Sequence, residues 1–144
     1  MTAAAANTDI PKKYGDRYIS GPGNGGAVLY QGAMLCRDAQ GNFIAAADAA
    51  GITPVVGRCA KFVDGTGLSD GDPALAAVIA EPGVFGYAAS SALAAAALAN
   101  LGQLVYVIDD LTVGLAADAT NDIVAGVLEE FEGSTFFVRI GNRP

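Results

Sequence analysis

The sequence predicts a mainly β fold: a jelly-roll or small-barrel β-sandwich with one short Ala-rich helix or loop and an extended N-terminal arm. Three observations predict it. Nineteen Gly and six Pro punctuate 144 residues, a density of turns that favours short strands over long helices. From Ala27 onward, short apolar runs alternate with Gly and Asp clusters. Several runs also carry period-two alternation: Phe136, Val138 and Ile140 share one strand face and Arg139 takes the other, with Phe137 breaking the polar side.

In chain order, residues 1–26 read as the arm and 27–144 as one β-rich domain, since this length suits a single core. The arm is polar and turn-rich, and Lys12, Lys13 and Arg17 supply three of the eight basic residues. Strands are expected near 27–36, 42–46, 54–63, 75–80, 83–88, 104–108, 111–116, 123–131 and 135–140. Gly41-Asn42 and Glu132-Gly133-Ser134 read as hairpin connections, and "VDGTGLSDGDP" as a longer loop. Only "SSALAAAALAN" looks helical, with Ser90 or Ser91 as its cap and Asn100 and Gly102 near its end.

Composition narrows the function classes. A net charge of −7 argues against non-specific nucleic-acid binding, which needs a basic surface to displace phosphate counterions. The hydrophobic fraction is 52%, but Ala supplies 29 of those residues. The uncharged run from Pro82 to Ile108 is interrupted by Ser90, Ser91, Asn100 and Gln103, which argues against a membrane span. "MTAAAANTDI" is too polar for a signal peptide. Cys36 and Cys59 lie in apolar strand-like stretches, where free cysteines serve as small buried hydrophobes; a disulfide is the alternative.

Candidate chemistry is thin. "GPGNGG" satisfies GxGxxG, but Pro22 removes an amide donor and a strand-like run follows, so a flexible joint is expected there. Asp64, Asp70 and Asp72 could offer oxygens to Ca²⁺, yet Asp in Gly-rich loops usually bonds its own backbone. With no His, a Ser or Cys nucleophile lacks the usual base and a metal its commonest ligand. Glu129, Glu130 and Glu132 read as a solvated face that discourages edge pairing. Asp109 and Asp110, between "LVYVI" and "LTVGL", read as a hairpin tip, because adjacent strand residues point to opposite faces and cannot share a proton. No catalytic, cofactor-binding or metal-ligating set is predicted.

The segment "GQLVYVIDDLTVG" resembles the G-x-x-v-Y-V-x-D-D-x-T-V segment of tailed-phage capsid cement (head decoration) proteins. Other pieces follow in matching order. "LYQGAMLCRDAQGNFIAAADA" is similar to that family's early strand pair, and "PVVGRCAKFVDGTGLSDGD" to its central stretch and loop. "EPGVFGYA" and "IVAGVLEEFEGSTFFVRIG" resemble its G-x-F strand and its closing strands. The likeness covers residues 27–141, leaves the arm out, and departs at the long Ala-rich segment 88–99.

The resemblance implies a structural protein of the virion's outer capsid surface, made in the host cytoplasm and commonly a homotrimer. Its partner would be the major capsid protein, whose subunits it would bridge against internal DNA pressure, with no nucleic acid, membrane or cofactor and no enzymatic activity. Ile10, Tyr14, Arg17 and Tyr18 are the expected partner contacts, Tyr and Arg being favoured interface anchors. Two alternatives stand beside it. One is a glycan-binding module of the virion surface, signalled by exposed aromatics along a groove. The other is a small trimeric β-enzyme.

Overall fold

The apolar runs of the first half become seven strands in the structure, a computed structural model that describes residues 18–141. They are β1 (Ile19–Gly21), β2 (Val28–Leu29), β3 (Met34–Arg37), β4 (Phe43–Ala45), β5 (Gly57–Cys59), β6 (Val63–Asp64) and β7 (Val78–Glu81). Five of them form one sheet in the order β1-β7-β5-β3-β4, antiparallel at every junction, while β2 pairs with β6. The outer strands of the larger sheet approach each other again. Gly23 bridges Phe43, the Asn24 amide donates to the Phe43 carbonyl at 2.9 Å, and Phe43 donates to Pro22 at 2.8 Å. The sheet is therefore curled around its own apolar centre of Ile19, Leu29, Leu35, Phe43, Cys59, Val78 and Ala80.

The second half closes fully. Strands β8 (Gly83–Ala89), β9 (Leu104–Asp109), β10 (Thr112–Gly114), β11 (Val124–Glu132) and β12 (Thr135–Ile140) form a small barrel in the order β10-β8-β12-β11-β9. Its one parallel junction joins β10 to β8. Closure leaves no unpaired edge around the ring, which suits a chain made of short strands. Phe136, Val138 and Ile140 all point into the barrel and Arg139 points out, as the alternation requires.

Strand β3 ties the two halves together. Leu35 enters the first core, whereas Met34 and Cys36, on its opposite face, pack with Val105, Val107 and Val113 of the barrel. A strand covered on both faces has no polar side, and this is why "MLC" reads as a continuous apolar run before Arg37. Both cysteines are buried and free, and burial pushes the Cys36 thiol up to about 12.

The structure revises several expected elements. The Ala-rich stretch is helical only over α1 (Ser91–Ala95), where the Ser90 hydroxyl accepts from the Leu93 amide at 3.2 Å. A single 3-10 turn follows at Leu98–Asn100. Without long side chains to bury, Ala supplies propensity but little packing, and Leu93 alone anchors the helix in the barrel core. The expected strand 54–63 splits into β5 and β6, because Ala60, Lys61 and Phe62 carry the chain from one sheet to the other. Residues 19–26, taken from sequence as part of the arm, are built into the domain: β1 pairs with β7 and Ile19 is buried.

"GPGNGG" is a crossing rather than a flexible joint. The Gly25 amide donates to the Asp70 carboxylate at 2.6 Å and the Gly26 amide to the Gly65 carbonyl at 3.0 Å. A Cβ on Gly25 would meet the Asp70 amide nitrogen at 2.6 Å, so only glycine allows the two loops to touch. Strand β2 follows it, so the helix N-terminus that a nucleotide site requires is not there.

Candidate functional site

Arg58 and Glu81 sit directly opposite each other on β5 and β7. Their strands alternate: Gly57, Cys59, Val78 and Ala80 turn inward, so Arg58 and Glu81 share the outer face. The Nε and Nη2 atoms of Arg58 both donate to Oε1 of Glu81. The chain then bends through Pro82 and Gly83 into β8, which carries Phe85 beneath the guanidinium at 4.1 Å from ring centre to carbon. One arginine thus pairs with the neighbouring strand of the curled sheet through an ion pair and reaches the barrel through a cation–π contact.

Tyr18 completes the line. It is 59% exposed, and its hydrogen bond to Glu81 holds the phenol above its usual value. The same bond, with help from Arg58, holds the Glu81 carboxyl below the usual range. Of the four expected partner contacts, Tyr18 is therefore placed, at the rim of a charged and aromatic cluster. Ile10, Tyr14 and Arg17 lie outside the described residues.

Beside this cluster opens a groove of about 340 Å³ with Arg58, Phe85 and Tyr87 along it and Val84 and Leu111 on its walls. The Tyr87 hydroxyl donates to the Gly32 carbonyl at 3.1 Å, and burial raises its pKa above the ordinary tyrosine value. Val84 and Leu111 are large apolar side chains left 40% and 54% exposed. Burial keeps the Tyr87 phenol protonated near neutral pH, so the groove offers contact and the guanidinium charge rather than proton transfer.

A second surface feature lies on the curled sheet. Tyr30 and Phe62 are 61% and 50% exposed, with ring centroids 5.4 Å apart. Phe62 also lines a groove of about 300 Å³ with Lys61, Asp64 and Pro73.

The remaining candidates are turn chemistry. The Asp109 carboxylate accepts from the Leu111 amide at 2.9 Å, and Asp110 and Leu111 are the central residues of the hairpin, one position later than expected. A bulge at Ile108 lets this turn form without a positive φ in its centre. Burial, and then the neighbouring Asp109 charge, raises the Asp110 carboxyl above its ordinary value. The Asp110 carbonyl accepts from Met34 at 2.9 Å, so the tip is docked on the first sheet. Asp64 and Asp72 each accept a backbone amide two residues on, and Asp70 holds Gly25. Among the described residues, no three His, Cys, Asp or Glu side chains cluster as metal ligands, and no helix is long and apolar enough to cross a membrane. Glu129 pairs with Arg139 at 2.7 Å, while Glu130 and Glu132 are exposed beyond the reach of β9.

Sequence reasoning missed Arg58, Glu81, Phe85 and Tyr87. One signal was available: Arg58 is a lone charge between the buried Gly57 and Cys59, where alternation puts it outside. Its partner lies 23 residues away and its ring 27, and no local pattern reports such distances.

Fold and surface together define a mainly β protein on a small closed barrel, with an aromatic and charged groove beside the junction of its two halves. No protein-family model, curated protein or solved structure matches the chain.

Proposed function

We propose that this chain is a structural virion protein that binds the outer surface of a tailed-phage capsid. It bridges major capsid protein subunits, as a homotrimer, and stabilises the shell against the pressure of packaged DNA. The observation that carries this reading is the order of the five segments between residues 27 and 141 that resemble capsid cement proteins. A barrel with acidic turns and apolar side chains left at its surface suits a protein that fastens neighbours. Many copies, each with a modest interface, favour the assembled shell by mass action. Ile10, Tyr14, Arg17 and Tyr18 are the residues assigned to the shell contact, and no reaction is assigned to the chain. Co-sedimentation with empty capsids of the virus that encodes the chain tests this. Saturable binding that raises the temperature at which capsids open supports the proposal; a chain left wholly in the supernatant contradicts it.

One observation favours a second reading, a glycan-binding module. Exposed aromatic rings stack on sugar faces, and Tyr30 and Phe62 stand exposed beside a groove carrying Lys61 and Asp64. Binding to a glycan array that is lost in Phe62→Ala would support this reading, and an array without signal would remove it.

A further inference from the structure

Asn24 is followed by glycine, and none of the chain's other asparagines is. In that pairing a backbone amide turns most readily on a side chain, because glycine has no Cβ to hinder the approach of its nitrogen to the Asn carbonyl carbon. In this fold both reacting groups are held by carboxylates from other loops. The Asn24 side-chain amide donates to Oδ2 of Asp38 at 2.6 Å, and the Gly25 amide to Oδ1 of Asp70 at 2.6 Å. Asp38 is itself fixed, since its other oxygen accepts from the Gln40 and Asn42 amides at 2.9 Å. The backbone around the pair is fastened as well: Asn24 donates to the Phe43 carbonyl at 2.9 Å and Ala27 to the Asn24 carbonyl at 3.1 Å. Asn24 and Gly25 are nevertheless only half-buried, so water reaches them.

We propose that Asn24-Gly25 is a latent modification site, closed to succinimide formation while Asp38 and Asp70 hold it and opened when the loop crossing separates. In the reaction the Gly25 nitrogen gives its proton to solvent base and bonds to the Asn24 side-chain carbonyl carbon, whose bond to nitrogen breaks to release ammonia. Water then opens the ring at either carbonyl and leaves aspartate or isoaspartate at position 24. The crossing opposes the first step twice. The Gly25 N–H is aimed at Asp70 and the carboxamide is drawn to Asp38, so neither is free to turn toward the other. Reaction therefore needs a local opening. Modification also prevents reclosure. A carboxylate at position 24 has no hydrogen to offer Asp38 and brings a second negative charge beside it. Isoaspartate adds a methylene to the backbone just before Gly25, which has no room even for a Cβ: one would meet the Asp70 amide nitrogen at 2.6 Å. The closure between the outer strands of the curled sheet, where Gly23 bridges Phe43, is lost with the crossing. The change runs one way, and it does not rest on the capsid reading.

The test incubates the full chain in mildly alkaline buffer, native and in denaturant, and follows the peptide containing Asn24 by mass spectrometry as its amide is replaced by an acid. The native rate should be slower by about tenfold or more, as a reaction gated by local opening requires. Equal rates, or a faster native reaction with Asp70 acting as base, would overturn the proposal. This comparison needs no variant, so it stands even where a substitution unfolds the chain. Asp38→Ala and Asp70→Ala, each checked for a native near-ultraviolet spectrum, should be modified faster than the wild type, and wild-type rates in both would overturn it. Asn24→Asp reproduces one product without the reaction. Its Gly25 and Gly26 amides should exchange hydrogen faster than in the wild type, while those of Val105 and Val107 in the barrel keep their protection. Unchanged protection at Gly25 and Gly26 would overturn the one-way step.

Discussion

The Arg58 guanidinium lies 4.1 Å from the centre of the Phe85 ring, and so one side chain of the curled sheet is pinned to the barrel. Glu81, directly opposite on the neighbouring strand, takes two donors from the same group. Removing it in Arg58→Ala loses a cation–π contact of about 0.5–1 kcal/mol and an ion pair of about 0–1 kcal/mol, because a third of the arginine is exposed. A destabilisation of about 0.5–2 kcal/mol is expected by urea unfolding. Arg58→Lys should recover only part of it, since an ammonium cannot reproduce the guanidinium fork. Full recovery by lysine would reduce the contact to simple charge.

Two depressed carboxylates, one at this junction and one elsewhere in the domain, set an acid limit. Glu81 is depressed by its bonds from Tyr18 and Arg58, and Asp48 by the amides of Thr120 and Asn121. A depressed carboxyl adds stability above its unfolded value, near 4.5 for Glu81 and 3.8 for Asp48, and loses it as pH falls through the lower folded value. Asp110 runs the other way: its raised carboxyl gains a proton more readily when folded, so acid relieves first the cost of burying its charge and then its repulsion with Asp109. The urea midpoint of the wild type should therefore fall below pH 4.5, and the difference between it and Glu81→Gln should shrink there. Parallel curves down to acid unfolding would contradict the assignment.

Gly126 of β11 lies against the backbone of β12 at Arg139. A Cβ there would run into the Arg139 carbonyl, which is backbone and cannot swing aside. Gly126→Ala should cost about 3 kcal/mol or more, at the upper end of overpacking effects. Gly102→Ala makes the control: its φ of +77° is unfavourable for alanine, but no atom lies within 4 Å. Only about 1 kcal/mol is expected there, from conformation alone. Equal losses at both sites would show that the close approach is not the constraint.

Both thiols are buried, one in each core. Because the reactive species is the thiolate, burial that lifts Cys36 to about 12 slows its modification in the folded protein. Two thiols should titrate in denaturant, and Cys36 should react slowly before unfolding. A count of zero in denaturant without reductant would mean a disulfide instead.

Much of the fold was legible because its barrel strands are local signals. The run 135–140 carries its own alternation, and the run 104–108 ends in an acidic turn, so β12 and β9 are readable from their residues alone. The first half was harder. Strand β2 has two residues, too short for any period to register, and β5 three, enough only to turn Arg58 outward. "GPGNGG" looked loose because glycine density marks both mobile joints and close backbone crossings, and only the loop around Asp70 tells them apart. Asp48, which accepts from both Thr120 and Asn121 at 2.8 Å, carried no signal, since its partners lie more than seventy residues away. Of the site, Tyr18 was legible as an interface type of residue, while the Arg58, Glu81 and Phe85 cluster exists only once β5, β7 and β8 are assembled.

The central proposal is that the chain fastens a phage shell, and a cryo-EM reconstruction of phage virions produced in a host that carries its gene tests this most directly. The expected result is density for this mainly β domain on the outer capsid surface, each copy touching more than one major capsid protein subunit. Virions with a bare outer shell, and the chain missing from their protein content, would contradict it.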